Sequence, residues 1–302
     1  MLLIFYSGTR ISNILYSITT YLPQDKLGFV IDTSNILNLS GIRMNLCFRA
    51  ILNSLMRVQY PKTYRVYNFL KKFKDTQMNI QFTDLDVAIA IYLTEMLSRG
   101  KKVTDLEDTI RTNFSIDARI IPVCDEILPI TVKSSVKTMF YSEYLHTNAT
   151  DFKIQEINFN GIETKKPNEN LKKVANKSEY ILLLPNDLVA FHAMLQVPGV
   201  RKILEDVSCP IFAIFPIIDR SYLSTEETNI LNKLGYLDIN AVEFSKTVEN
   251  LVDIIIIDET QKIYKEQIMN AGFQVYVRDL KIKNKKDAFE LATFLFNLFP
   301  LK

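Results

Sequence analysis

Two carboxylates one residue apart, in Thr83-Asp84-Leu85-Asp86, could offer oxygen ligands to a divalent cation. Standing just ahead of the apolar run Val87 to Arg99, Asp84 also suits a helix N-cap, which is the simpler reading of the pair taken alone. A second acidic cluster, Cys124-Asp125-Glu126, follows the apolar stretch Ala118 to Val123. Ser7-Gly8-Thr9-Arg10 points to different chemistry. A tight turn with one glycine, between a strand and a helix, can present backbone N–H groups to a phosphate. The polar run Asp32-Thr33-Ser34-Asn35 ends another strand-like stretch, at the edge where open α/β sheets bind ligands.

The elements that must hold these groups follow from periodicity. Met1 to Tyr6 predicts a strand and Ile11 to Tyr21 a helix, with Ile11, Ile14, Leu15, Ile18 and Leu22 as its apolar stripe. Leu27 to Ile31 predicts a second strand. Met44, Cys47, Ile51 and Leu55 share one face of a helical run after Ser40-Gly41, which makes Cys47 a core residue. The helix from Val87 is apolar on most sides and reads as buried. Thr104-Asp105-Leu106-Glu107 reads as a capping box opening the next helix. Residues 118 to 160 are strand-rich. Strand and helix then alternate through Tyr180–Leu184, Ile211–Phe215, Ile254–Ile257 and Phe273–Val277 to a closing helix from Asp287 to Phe299. The fold class is therefore α/β: a doubly wound, mostly parallel, Rossmann-like sheet in one domain over 1–302, with 118–160 as a strand-rich substructure.

Composition narrows the function classes. An apolar fraction of 48% with 23% charged residues excludes a disordered or fibrous chain. A net charge of +2 leaves no overall field to draw in nucleic acid. The aromatic and basic segment from Tyr60 to Lys74 could stack bases, or serve as a surface helix with its rings inward and its lysines in water. Three scattered cysteines and no membrane-length apolar run point to a cytoplasmic protein off the membrane.

Read in order, these segments resemble the CofD-type 2-phospho-L-lactate transferases. The family's Gly-Gly-Thr-Gly stands at Ser7-Gly8-Thr9-Arg10, and its Asn-Thr-Ala at Asp32-Thr33-Ser34 ahead of a shared Ser40-Gly41. Gly-Asp-Arg-Asp corresponds to Thr83-Asp84-Leu85-Asp86, and Ile-Leu-Pro-Met-Ser-Asp-Asp to Ile120 through Glu126. The Gly-Pro-Ser-Asn-Pro loop falls on Leu184-Pro185-Asn186-Asp187, and Ser-Pro-Ile-Ile on Phe215-Pro216-Ile217-Ile218. The family's Pro-Asp-Leu-Asp becomes Leu46-Cys47-Phe48-Arg49, with a thiol and a cation in place of two carboxylates.

The resemblance implies transfer of a phospholactyl or phosphoenolpyruvyl group from a guanosine diphosphate carrier to the hydroxyl of a deazaflavin precursor. GMP would leave, with Mg2+ as helper, in the making of coenzyme F(420). It implies Asp84, Asp86 and Asp125 as catalytic carboxylates, the first two holding the metal. Ser7, Gly8, Thr9 and Arg10 would meet the phosphates, Asp32 and Thr33 the acceptor, and Asn186 the guanosine carrier, with Pro216 also on the substrate. A homodimer is open to it. The changed positions also leave open a paralogue that binds a nucleotide or a protein partner without turnover.

Overall fold

The computed structural model describes residues 1–9, 12–39, 41–56, 62–73, 80–146, 153–215, 223, 225–236 and 239–299. Its strands are β1 (Leu2–Ser7), β2 (Leu27–Ile31), β3 (Ile36–Leu39), β4 (Ile42–Asn45), β5 (Arg119–Pro122), β6 (Thr131–Ser134), β7 (Thr138–Phe140), β8 (Ile154–Asn158), β9 (Tyr180–Pro185), β10 (Ile211–Ile214), β11 (Ile254–Asp258) and β12 (Gln274–Arg278). Its helices are α1 (Asn13–Tyr21), α2 (Leu46–Leu55), α3 (Arg65–Leu70), α4 (Asp84–Ser98), α5 (Val103–Asn113), α6 (Tyr141–His146), α7 (Leu171–Asn176), α8 (Leu188–Gln196), α9 (Val200–Glu205), α10 (Thr225–Lys233), α11 (Ala241–Thr247), α12 (Lys265–Asn270) and α13 (Lys285–Leu298).

Seven strands pair in parallel in the order β12-β11-β10-β9-β1-β2-β5. Period-two alternation in β1 explains why both faces need cover. Leu2, Ile4 and Tyr6 enter the core formed with α1, α2 and α13, whereas Leu3 and Phe5 enter the opposite core, with α7, α8 and α9. The expected doubly wound α/β sheet is thus what the chain forms. An antiparallel three-stranded sheet, β7-β6-β8, joins the second core through Val132 and Met139.

Three local expectations differ. A hairpin, β3 against β4, stands where the helical stripe was expected to begin, so Met44 pairs with Leu37 and only Cys47, Ile51 and Leu55 share the helix. Gly41, at φ +93°, makes the turn. Helix α4 buries only Asp86, Val87, Ala90 and Leu93, leaving Ile91 and Tyr92 exposed. Of the aromatic and basic segment, Tyr67 packs edge-on to Phe82, but Phe69 and Phe73 face solvent; Tyr60 and Lys74 lie outside the described residues.

Helix α2 starts at Asn45, whose Oδ1 accepts the Phe48 N–H at 3.0 Å while its amide reaches the Asp32 carbonyl at 3.4 Å. Asn45→Ala is expected to cost about 1 kcal/mol, read by urea unfolding.

Candidate functional site

The strand order sets the place. From β1 the chain winds one way through β2 to β5 and the other way through β9 to β12, so connectivity reverses between β1 and β9. Helices leave the carboxyl ends of these two strands on opposite faces, which opens a crevice there. Ser7 and Gly8 form one wall and Asn186 and Asp187 the other. The Ser7 hydroxyl donates to the Asp187 carbonyl at 2.7 Å, and the Asp187 N–H donates to the Ser7 carbonyl at 3.0 Å.

Gly8 holds φ +147°, and a Cβ there would stand 2.9 Å from Asn186 Nδ2 and 3.0 Å from Asn186 Cβ. Only glycine lets the turn approach the Asn186 loop so closely. Beyond the turn, Ser12 caps α1 by accepting the Leu15 N–H at 3.1 Å, which places an N-terminal helix end beside the crevice.

Beneath the crevice lies a closed polar network. Asp32, at the end of β2, accepts from the Ser34 N–H and hydroxyl, both at 2.7 Å, and from the Asn35 N–H and amide. The Asn35 amide also donates to Asp187 Oδ2 at 3.2 Å, and the Tyr141 hydroxyl donates to Asp187 Oδ1 at 3.0 Å. Asp187 caps α8 as well, through the Ala190 N–H. Burial pushes the Asp187 carboxyl up to about 7, aided by the charges of Glu227 and Asp32 and opposed by the Ala190 N–H. Burial raises Asp32 too, against the four hydrogen bonds that favour its charged form.

Of the expected site residues, the structure gathers Ser7, Gly8, Asp32, Thr33 and Asn186 at one end of the sheet, with Thr9 half-buried in the turn. Arg10 and Pro216 lie outside the described residues. The three carboxylates expected to do catalysis have other partners. Asp84 accepts the Val66 N–H at 2.9 Å, a bond that favours its charged form and holds its pKa below the usual carboxylate range. Thr83, rather than Asp84, caps α4, in a capping box with Asp86. Asp86 is also ion-paired to Arg49 at 2.9 Å. Asp125 accepts the Thr104 N–H and hydroxyl at 2.8 and 2.7 Å.

Asp84, Asp86 and Asp125 are therefore not gathered as one magnesium-binding set. Among the described residues no three His, Cys, Asp or Glu side chains come together as a metal site. Where the resemblance places an acidic pair, the Cys47 thiol is fully buried against the Tyr6 carbonyl and Arg49 is committed to Asp86. Replacing Arg49 with methionine is expected to strand the buried Asp86 carboxylate and cost about 2 kcal/mol, measured by chemical denaturation.

Sequence reasoning passed over Asp187 and Tyr141. Asp187 ahead of the apolar run from Leu188 was a legible helix cap, but nothing local announced that residues 35, 141 and 187 meet.

A cleft of about 40 Å³ opens one strand further along, lined by Thr33, Asn45 and Glu107 among apolar side chains. Thr104 is spent on Asp125 and Lys102 takes the cap position of α5 without a side-chain bond, so the expected capping box does not form. Glu107 instead turns inward, 1% exposed, with neither carboxyl oxygen hydrogen-bonded.

A family model described as 2-phospho-L-lactate transferase CofD matches residues 8–292, which takes in Gly8, Asn186 and Asp187 of the crevice and the cleft. The chain belongs to the CofD family. A protein named 2-phospho-L-lactate transferase from Methanosarcina acetivorans is 20% identical over 99% of both chains. Another so named, from Methanocaldococcus jannaschii, is 21% identical over 70% of this chain and 68% of its own. A crystal structure of a UPF0052 family member from Bacillus halodurans superposes over 98% of both chains with a TM-score of 0.63 at 13% identity, a likeness of fold. Within this CofD chain no described helix is long and apolar enough to cross a membrane.

Proposed function

We propose that this CofD-family chain is a 2-phospho-L-lactate transferase that moves a phospholactyl or phosphoenolpyruvyl group from a guanosine diphosphate carrier to a deazaflavin precursor, releasing GMP. The observation that carries this reading is the crevice itself. Gly8, in a conformation closed to other residues, is pressed against Asn186 at the reversal point of the sheet, beside the start of α1. The N-terminal end of α1 suits a diphosphate, and Asn186 has the amide to recognise a guanine edge. Asp32 and Thr33, one strand away, face the acceptor's side.

Chemistry at the diphosphate needs an in-line hydroxyl and positive charge on the leaving oxygens. Since Asp84, Asp86 and Asp125 are engaged elsewhere, no step is assigned to a protein-bound metal. The positive ends of backbone dipoles and Arg10 of the turn are the groups this reading assigns to that charge.

The test is to incubate purified protein with the guanylylated donor and the deazaflavin precursor, with and without magnesium, and follow GMP. Release above the protein-free control in either condition supports transfer. No release in both, with ligands still raising the melting temperature, would leave a protein that binds without turnover.

A further inference from the structure

An open sheet has two edges, and an unpaired edge offers a row of N–H and C=O groups to any other strand. The edge at β5 is blunted, since Arg119 opens that strand exposed and Pro122 closes it. The edge at β12 carries no such device. Gln274-Val275-Tyr276-Val277 holds no proline and no charge, and its register with β11 runs without a bulge. Among the described residues β11 is its one strand neighbour. The flank stands open as well: a groove of about 420 Å³ lies between Arg278 and α13, with Glu290, Phe294 and Asn297 in its lining.

Which main-chain groups face outward follows from one bond. The Gln274 N–H donates to the Asp253 carbonyl at 3.0 Å, so the backbone of Gln274, Tyr276 and Arg278 is turned to β11. The N–H and C=O groups of Val275 and Val277 therefore point away from the sheet. The strand is also close to a palindrome: from either end, Gln274-Val275-Tyr276-Val277-Arg278 reads polar, valine, tyrosine, valine, polar. Val275 and Val277 pack into the core shared with Ile268 of α12. Tyr276, on the other face, stands edge-on to Phe294 of α13, and the Arg278 guanidinium lies over the same ring at 4.4 Å.

We infer that β12 is the seam of a twofold dimer, pairing antiparallel with β12 of a second copy so that the two sheets run on as one. Centred on Tyr276, that pairing sets Val275 opposite Val277 of the second copy, and the reverse. Those residues carry the outward groups, so each pair exchanges both of its N–H···O bonds, and the contact is self-complementary as a twofold interface must be. A slip of one residue would oppose outward groups to spent ones. Gln274 comes to face Arg278 of the second copy. Its amide nitrogen donates to the Tyr276 hydroxyl at 3.0 Å, which leaves Oε1 to accept from the guanidinium opposite. Strands β11 and β10 separate β12 from β9, so the pairing leaves the crevice open and stands apart from the transfer reaction.

Sedimentation equilibrium of the full chain reads the assembly, with the parent expected at twice the chain mass. Val277→Pro removes an outward N–H from each copy and spares the bonds to β11. It should keep the fold, judged by circular dichroism and melting temperature, and weaken the dimer by about thirtyfold or more. A cross-link checks the register without a proline. In a Cys209→Ser background, which removes the one cysteine that is not fully buried, Tyr276→Cys sets two thiols across the dyad at a Cα separation of about 4.5 Å, within disulfide reach. Mild oxidation should then give a covalent dimer. Gln274→Cys should not cross-link, because Gln274 faces Arg278 of the second copy and not its own twin. A parent that stays monomeric on concentration would overturn the inference. So would a dimer undiminished in folded Val277→Pro, or one in which Gln274→Cys cross-links as readily as Tyr276→Cys, since either places the contact elsewhere.

Discussion

Asp187→Ala should lose about 3 kcal/mol of stability, because the Tyr141 hydroxyl and the Ala190 N–H both forfeit their acceptor inside a closed network. The loss is read from urea unfolding at neutral pH. Asp187→Asn should fare much better, since an amide retains an acceptor for those donors. The pair of variants also exposes a pH signature. With its ionisation pushed up to about 7, Asp187 is protonated in the folded chain and ionised in the unfolded one between roughly pH 4 and 7. The folded state then binds the extra proton, so stability is greatest at the acid end of that window and falls as pH rises through it. Its contribution to the slope is at most about 1.4 kcal/mol per pH unit, and Asp187→Asn should remove it. Identical slopes in parent and variant would show that this carboxyl is ionised throughout.

Gly8→Ala should strike function harder than stability. The new methyl group meets Asn186 Cβ at 3.0 Å and the Tyr6 hydroxyl at 3.3 Å, at a φ that L-residues rarely adopt. About 2 kcal/mol of stability should go. The larger consequence is displacement of the turn from Asn186, and a shift on the order of 1 Å should lower the rate of GMP release by roughly a hundredfold. Gly41→Ala is the control. It shares a positive φ, +93°, but no atom lies within 4 Å of its new methyl group, so it should cost stability without touching transfer. If both substitutions reduce GMP release equally, the crevice is not where the donor sits.

How far the sequence reveals this molecule varies with the range of the forces involved. Strands such as Leu2–Ser7 and Tyr180–Pro185 declare themselves because a parallel strand covered on both faces must be apolar throughout. The Ser7-Gly8 turn and the Asp32 run were legible for a related reason: ligand chemistry sits where apolar strands end. The hairpin from Ile36 to Asn45 was not legible. Its apolar and polar residues mix in a pattern that also suits a helix, and its pairing depends on α4, against which β4 packs. Thr104-Asp105-Leu106-Glu107 shows the limit most sharply. A capping box is a local pattern, whereas Asp125 claims Thr104 from 21 residues away and leaves Glu107 to face inward. Asp84 and Asp86 illustrate the converse, since their place beside a helix start was correctly seen as open to capping, and Asp86 became part of the cap.

The position of β1 has a consequence for how the chain reaches this structure. Leu2 pairs with Leu27 on one side and with Tyr180 on the other, so this inner strand of the sheet gains its second neighbour only after most of the protein has been made. At ordinary elongation rates that delay is on the order of ten seconds, during which Leu-Leu-Ile-Phe-Tyr offers an apolar, unpaired edge. Nascent chains halted between β2 and β9 should accordingly cling to chaperones and be cut readily by protease. Those released after β9 should abruptly resist both.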